Sequence, residues 1–389
     1  MTSSNESRGW ANPVRVVRGR GLLGHLPSLV GERSVFLVTS SGSTRRGLTA
    51  RIREQLGPLL TGVHEVERSN PTVADCTGAM AQAALHDAAM IVAVGGGSVL
   101  DTAKAVAAGG HVGAEGRLSP AWLSDRLRQG APFPDGFAPT PLIAVPTTAG
   151  TGSEVTMWGT IWDEASGRKY SLAHPGLYPE AAIVDPTLTL SVPEDTTVFT
   201  ALDTLSHAME AVWNRSANPV SDALASWAIH VVSAELPGLA ADRSDLGRRE
   251  KIQDACLLAG LAFSNTRTAL AHSISYPLTA ALGMPHGLAC GFTLGEILAL
   301  NGAAEPERGL QVAAALGCDS VEAAVDAIYA LFAAVGLAGR MAQYVGSKAA
   351  FAAVPDGFIN PERAGNNVAA VDEPTARELM LRAWSRIAT

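Results

Sequence analysis

The apolar positions divide the chain into two textures. Up to about residue 190, short β-branched runs alternate with amphipathic stretches. Residues 34–39 (SVFLVT), 90–94 (MIVAV), 141–146 and 181–184 each read as a buried strand, a short apolar run bounded by Gly, Ser or Pro. Between them, residues 45–60, 72–86 and 99–108 carry helical spacing, and Pro71-Thr72 marks a helix start. Strands alternating with helices predict parallel pairing and a doubly wound α/β layer. Residues 1–33 read as a polar tail leading into short strands, and the Gly/Pro/Arg-rich stretch 112–140 as a surface insertion.

Beyond residue 190 the pattern becomes helical. Long apolar or amphipathic runs cover 198–213, 221–236, 248–264, 296–301, 321–335 and 376–387, with no convincing strand among them. The change of texture at 185–193 predicts two domains, α/β over 1–188 and all-helical over 189–389.

Composition narrows the class. The 389 residues are 47% hydrophobic and 17% charged, as in a well-packed globular protein. A formal charge of −8 argues against non-specific binding to nucleic acid. Cys76, Cys256, Cys290 and Cys318 are far apart and form no CxxC pair, which points to a reducing compartment. The polar start MTSSNESRGW has no apolar leader core, and no run of 18 unbroken apolar residues suggests a membrane span. The expectation is a cytoplasmic protein without a membrane partner.

Chemistry enters at a few places. Asp203 and His207 are four residues apart in a helical run, so both lie on one face a turn apart. His272 and His286 sit in the small, apolar stretch 265–287. Three imidazoles and a carboxylate suit a divalent transition metal; the spacing alone also fits hydrogen-bonded core histidines. The second strand runs into Gly95-Gly96-Gly97-Ser98 and then a helix, a geometry in which backbone N–H groups and a helix N-terminus meet a phosphate. An ordinary glycine turn would look the same, and Asp101 and Lys104 on that helix could form a solvated face. The loop 146–154 (PTTAGTGSE) offers the hydroxyls of Thr147, Thr148, Thr151 and Ser153 at the end of the next strand, where α/β sheets bind ligands.

Taken together, GGGSVLDTAKAVA, PTTAGTGSEVT, DTLSHAMEA and the His272–His286 spacing resemble the iron-containing (group III) alcohol dehydrogenases, in order and over nearly the whole chain. The resemblance implies a dinucleotide-binding α/β domain followed by a helical metal-binding domain. It implies Asp203, His207, His272 and His286 as ligands of one divalent metal, Fe2+ first and Zn2+ second. It also implies that Gly95, Gly96, Gly97, Ser98, Asp101, Thr147, Thr148 and Lys169 contact NADH or NADPH, with Asn70 in an NPT turn toward the adenine. A homodimer or larger assembly is expected on the same ground.

Two departures stand out. Many relatives carry a histidine where this chain has Tyr276, so a histidine proton relay is in doubt. Relatives often end the strand at 34–39 with an aspartate for the NAD ribose; here Ser40 and Ser41 stand there, with Arg45 and Arg46 nearby. Loss of that carboxylate predicts that NADPH is accepted. Ahead of His272, Arg267 replaces a small residue, and the pattern AHSISYPLT is similar to the phosphonoacetaldehyde reductase branch. The expectation is reduction of an anionic aldehyde held by Arg267, with help from Thr268 and Ser273. A general butanol-type dehydrogenase and, more distantly, a dehydroquinate-synthase-like lyase are the competing readings.

Overall fold

A computed structural model describes residues 9–112, 116–164 and 166–388. The start of the expected N-terminal tail, residues 1–8, and residues 113–115 of the expected insertion lie outside the described residues. The chain divides into two compact units. One consists of Pro13–Thr148 and Gly152–Ser191. The other is centred on Val192–Thr389 and takes in Ala149–Thr151 and the segment ending at Asn12.

The first unit is built on six parallel strands in the order Arg15–Arg18, Ala181–Val184, Leu142–Pro146, Met90–Gly95, Val35–Ser40 and Leu60–Val66. The central strands are apolar throughout because helices cover both faces. Phe36, Val38, Ile91, Ala93, Leu142 and Ala144 belong to one core, with residues of the helices Val73–Ala84 and Gly97–Ala107. Val35, Leu37, Val92, Val94, Ile143 and Val145 belong to the other, with Ile52 and Leu56 of the helix Leu48–Leu56. The alternation follows from successive side chains pointing to opposite faces of a strand. Thr72 starts the first of these helices with a capping box, its hydroxyl and the Asp75 carboxylate satisfying each other's backbone N–H groups.

Several elements differ from the expectation. The stretch 45–60 is not one helix: the chain turns at Gly47, in the left-handed region at φ 79°, between the helices Ser41–Arg45 and Leu48–Leu56. Leu60–Val66 is an edge strand whose Thr61, His64 and Glu65 mask the apolar signal of a central one. Trp158–Asp163 and Arg168–Ala173 form an antiparallel hairpin outside the main sheet. The stretch 112–140 contains a helix, Pro120–Gln129, started by the Ser119 hydroxyl.

The second unit is helical; among its described residues the only strand-like pairing is an isolated bridge between Asn214 and Asn367. Its principal helices are Glu194–Val212, Pro219–Ala241, Leu246–Thr266, Leu270–Leu282, His286–Gly291, Leu294–Ala304, Pro306–Ala315, Val321–Ala334 and Glu373–Ala388. Short residues let the helix bearing His286 press against Glu194–Val212. A Cβ on Gly287 would lie 1.9 Å from the Phe199 carbonyl oxygen, and one on Gly291 would lie 2.9 Å from Leu202 Cβ. Two runs, Pro219–Ala241 and His286–Ala304, are long and apolar enough to cross a bilayer, and 78% of the second run's most apolar window is buried inside the protein.

Candidate functional site

In the helical unit, Asp203 Oδ1 lies at the focus of three imidazoles. His272 Nε2 is 3.5 Å away, His286 Nε2 3.8 Å and His207 Nε2 3.9 Å. Asp203 and His207 project from one face of Glu194–Val212, as their spacing requires. His272 comes from Leu270–Leu282, and His286 opens His286–Gly291.

All three imidazoles have their outer nitrogen engaged, that of His286 by the Ser275 hydroxyl at 3.4 Å. His207 Nδ1 donates to the Gly150 carbonyl at 3.2 Å, and its ring stacks on Phe263 with centroids 4.0 Å apart. His272 Nδ1 donates to Glu210 Oε2 at 2.6 Å, while its backbone N–H donates to Glu210 Oε1 at 3.1 Å. Each bond fixes the tautomer and turns the Nε2 lone pair toward Asp203. Asp203 Oδ1 and His272 Nε2 are then buried without a hydrogen-bond partner among the described residues. A buried carboxylate facing lone pairs is costly unless a cation lies between them. The donor set therefore fits a divalent metal, and Glu210 is placed to orient His272 toward one.

Burial works against charge on Asp203, yet His207, His286 and His272 hold its carboxyl well below the usual range. Burial likewise works against charge on His272, yet Cys290, Glu210 and Asp203 hold its imidazole well above the ordinary range, so the metal-free ring carries a proton that a bound cation would replace. Burial pushes His207 down to about 4, which leaves it neutral and able to ligate at neutral pH. A further donor was not anticipated: the buried Cys290, one turn beyond His286, has its sulfur 3.7 Å from both ring nitrogens of that histidine.

The residues expected to hold an anion fall out differently. Arg267 is exposed. It ends Leu246–Thr266 in the left-handed region at φ 67°, with its backbone engaged by Phe263 and Asn214. Thr268 is buried, and its hydroxyl accepts from Arg363 Nη1 at 2.6 Å. Arg363 also lies over the Tyr276 ring, 5.4 Å from its centroid, and Tyr276 stacks near-parallel on His286 at 5.9 Å. Ser273 is engaged with the backbone of Asn360, accepting from its N–H at 2.8 Å. Sequence reasoning missed Arg363; its only signal was a charge two residues past Pro361.

In the α/β unit the two small-residue loops meet. Thr147 N–H donates to the Gly95 carbonyl, and a Cβ on Gly96 would lie 3.2 Å from Thr148 Oγ1. Gly96 starts the helix Gly97–Ala107 without a side-chain cap, so Gly97 and Ser98 present N–H groups at a positive helix end. Ser98 Oγ accepts from the Asn70 N–H at 3.2 Å, with Asn70 at φ 60°. The Pro71 carbonyl accepts from Trp162, and Lys169 lies 5.6 Å from the Trp162 ring centre. Ser40 caps the helix Ser41–Arg45 through Ser43, so its hydroxyl is committed locally. Thr151 belongs to the short piece grouped with the helical unit.

Asp101 and Lys104 do not form a solvated face. Lys104 is fully buried and donates to Ser153 O at 2.7 Å, Ser153 Oγ at 2.8 Å, Thr156 Oγ1 at 3.0 Å and Trp158 O at 2.7 Å. Asp101 accepts from Ser153 Oγ and the Thr160 N–H. Asp101 and Ser153 thus fasten the loop to the helix. Burial lowers Lys104 to about 8 and raises Glu154 to about 7.

Known proteins match along this whole arrangement. Residues 13–186 match the family model for iron-containing alcohol dehydrogenase, and 197–383 match the C-terminal model of the Fe-containing alcohol dehydrogenase family. A probable alcohol dehydrogenase, EutG, of Salmonella typhimurium is 37% identical over 83% of this chain and 80% of its own length. The phosphonoacetaldehyde reductase of Streptomyces viridochromogenes is 36% identical over 69% of this chain and 67% of its own. The crystal structure of sulfoacetaldehyde reductase from Bifidobacterium kashiwanohense in complex with NAD+ superposes with a TM-score of 0.85 at 29% identity, covering 98% of both chains. The chain belongs to the iron-containing alcohol dehydrogenase family. It is an oxidoreductase that uses a nicotinamide cofactor and a divalent metal to interconvert an alcohol and an aldehyde.

Proposed function

We propose that this enzyme reduces an aldehyde bearing a phosphonate, phosphonoacetaldehyde to 2-hydroxyethylphosphonate. The observation that carries the proposal is the half-buried Arg363, linked through Tyr276 to His286. Among the described residues its guanidinium contacts are a hydroxyl and an aromatic face, both uncharged. A planar guanidinium with spare donors suits a tetrahedral oxyanion. The 36% identical phosphonoacetaldehyde reductase supports the same substrate class.

In this assignment Asp203, His207, His272 and His286 hold the metal, with His272 oriented by Glu210. When bound, the metal supplies Lewis acidity that polarises the substrate carbonyl. The glycine loop at 95–98, with Thr148 and Lys169, would hold the nicotinamide cofactor, which would supply the hydride for reduction. Arg363, placed by Thr268, fixes the anionic end of the aldehyde. Tyr276 covers one flank of His286. Orientation of both substrate ends is what lets a short aldehyde react efficiently.

The second reading is a dehydrogenase of neutral short-chain alcohols, favoured by the longer match to the probable alcohol dehydrogenase EutG. Kinetics of Arg363→Ala separate the two. A charge-assisted contact contributes about 1.5–3 kcal/mol, so KM for phosphonoacetaldehyde should rise by about 10- to 150-fold while that for butyraldehyde stays the same. Equal changes for both substrates would favour the neutral-alcohol reading.

A further inference from the structure

The four ligands assigned above do not exhaust the donors at this centre. Asp203, His272, His286 and Cys290 each bring a ligand atom to within 4.8 Å of the others, a set that excludes His207 and includes sulfur. Donors sharing one ion stand at most about 4.3 Å apart, from bond lengths of about 2.0 Å to nitrogen and about 2.3 Å to sulfur. Donors at tetrahedral angles stand about 3.5 Å apart, so the set closes on one ion by side-chain movements of about half to just over one ångström.

Position reinforces the proximity. Cys290 lies four residues after His286 in His286–Gly291, on the same helical face. Its sulfur is equidistant from the two ring nitrogens of His286, on the side where Asp203 Oδ1 and His272 Nε2 are buried and unpartnered. Gly287 and Gly291 let this helix approach Glu194–Val212, so the sulfur arrives with the histidine rather than by its own excursion.

We propose that Cys290 is a further ligand of the metal, coordinating as a thiolate beside the carboxylate and imidazoles. On binding, the sulfur–hydrogen bond breaks, the proton leaves to solvent and a metal–sulfur bond forms, with no change of oxidation state. A thiolate makes the centre softer than nitrogen and oxygen donors alone and favours Zn(II) or Co(II) over harder ions. The inference rests on the metal assignment, and one experiment distinguishes the two.

The purified full chain is stripped of metal and titrated with Co(II) alone. Visible d–d bands report binding, and a near-ultraviolet sulfur-to-cobalt charge-transfer band reports a thiolate. The expected result is both bands in the wild type, loss of the charge-transfer band in Cys290→Ser, and its retention in Cys256→Ser. X-ray absorption at the cobalt edge of the wild type should show a sulfur neighbour at about 2.3 Å, a readout that needs no variant. Cobalt bound without charge transfer or sulfur scattering would overturn the role of Cys290 and leave the metal centre standing. Absence of any cobalt binding would overturn both.

Discussion

Glu210 takes two hydrogen bonds from one residue, from Nδ1 and from the backbone N–H of His272, at 2.6 and 3.1 Å. It fixes the ring's rotation and tautomer together, and its negative charge raises the basicity of the ligating nitrogen. Glu210→Gln keeps the shape and removes the charge. Metal affinity should fall by about 10- to 100-fold, measured by chelator competition, with the circular dichroism unchanged. Unaltered affinity would reduce Glu210 to a core residue.

Gly287 is where two helices touch. An added methyl would meet the Phe199 carbonyl oxygen at 1.9 Å, and a backbone atom cannot rotate away. Gly287→Ala should lower stability by about 2 kcal/mol or more, in the range of overpacked cores, and reduce bound metal because the Asp203 Cβ is also close, at 3.2 Å. Thermal unfolding and metal content check this together.

Glu154 gives a pH dependence. Burial raises its carboxyl from 4.5 to about 7, so the folded protein holds a proton that the unfolded chain has lost. Its contribution is full below pH 4.5 and is lost as pH rises through about 7, with a slope of at most about 1.4 kcal/mol per pH unit. Lys104 acts oppositely: lowered from 10.5 to about 8, it sheds its proton first in the folded state, and stability rises above about pH 8. Urea unfolding from pH 5 to 8 should show a decline in the wild type that Glu154→Gln flattens. Parallel curves would contradict the assignment.

Arg45 and Arg46 are exposed after the strand Val35–Ser40, and Arg46 folds back beside Gly42 and the Ser40 hydroxyl. If they meet a 2′-phosphate, the double change Arg45→Ala with Arg46→Ala should raise KM for NADPH by about tenfold and leave NADH unaffected. Equal efficiency with both cofactors in wild type and variant would remove their role.

The sequence made the buried strands legible because their apolar runs were uninterrupted, and the gathering of His207, His272 and His286 on Asp203 was partly legible because helical spacing is a local feature. Leu60–Val66 escaped because an edge strand carries polar residues on its open side. Glu210 could have been found: it continues the face of Asp203 and His207 by one more turn. Arg363 could not, since its partner Thr268 is 95 residues away and only folding brings them together. The backbone turn of Arg267 at a helix end could likewise not be read from its charge. The burial of Lys104 and Asp101 was not legible because their partners come from the loop around Ser153, some fifty residues away.

The most direct test is the ratio of kcat/KM for phosphonoacetaldehyde and butyraldehyde, followed by nicotinamide oxidation with metal-loaded wild-type enzyme. An anion held by Arg363 predicts a preference of at least about tenfold for phosphonoacetaldehyde. Equal or better turnover of butyraldehyde would contradict it and leave a dehydrogenase of neutral short-chain alcohols.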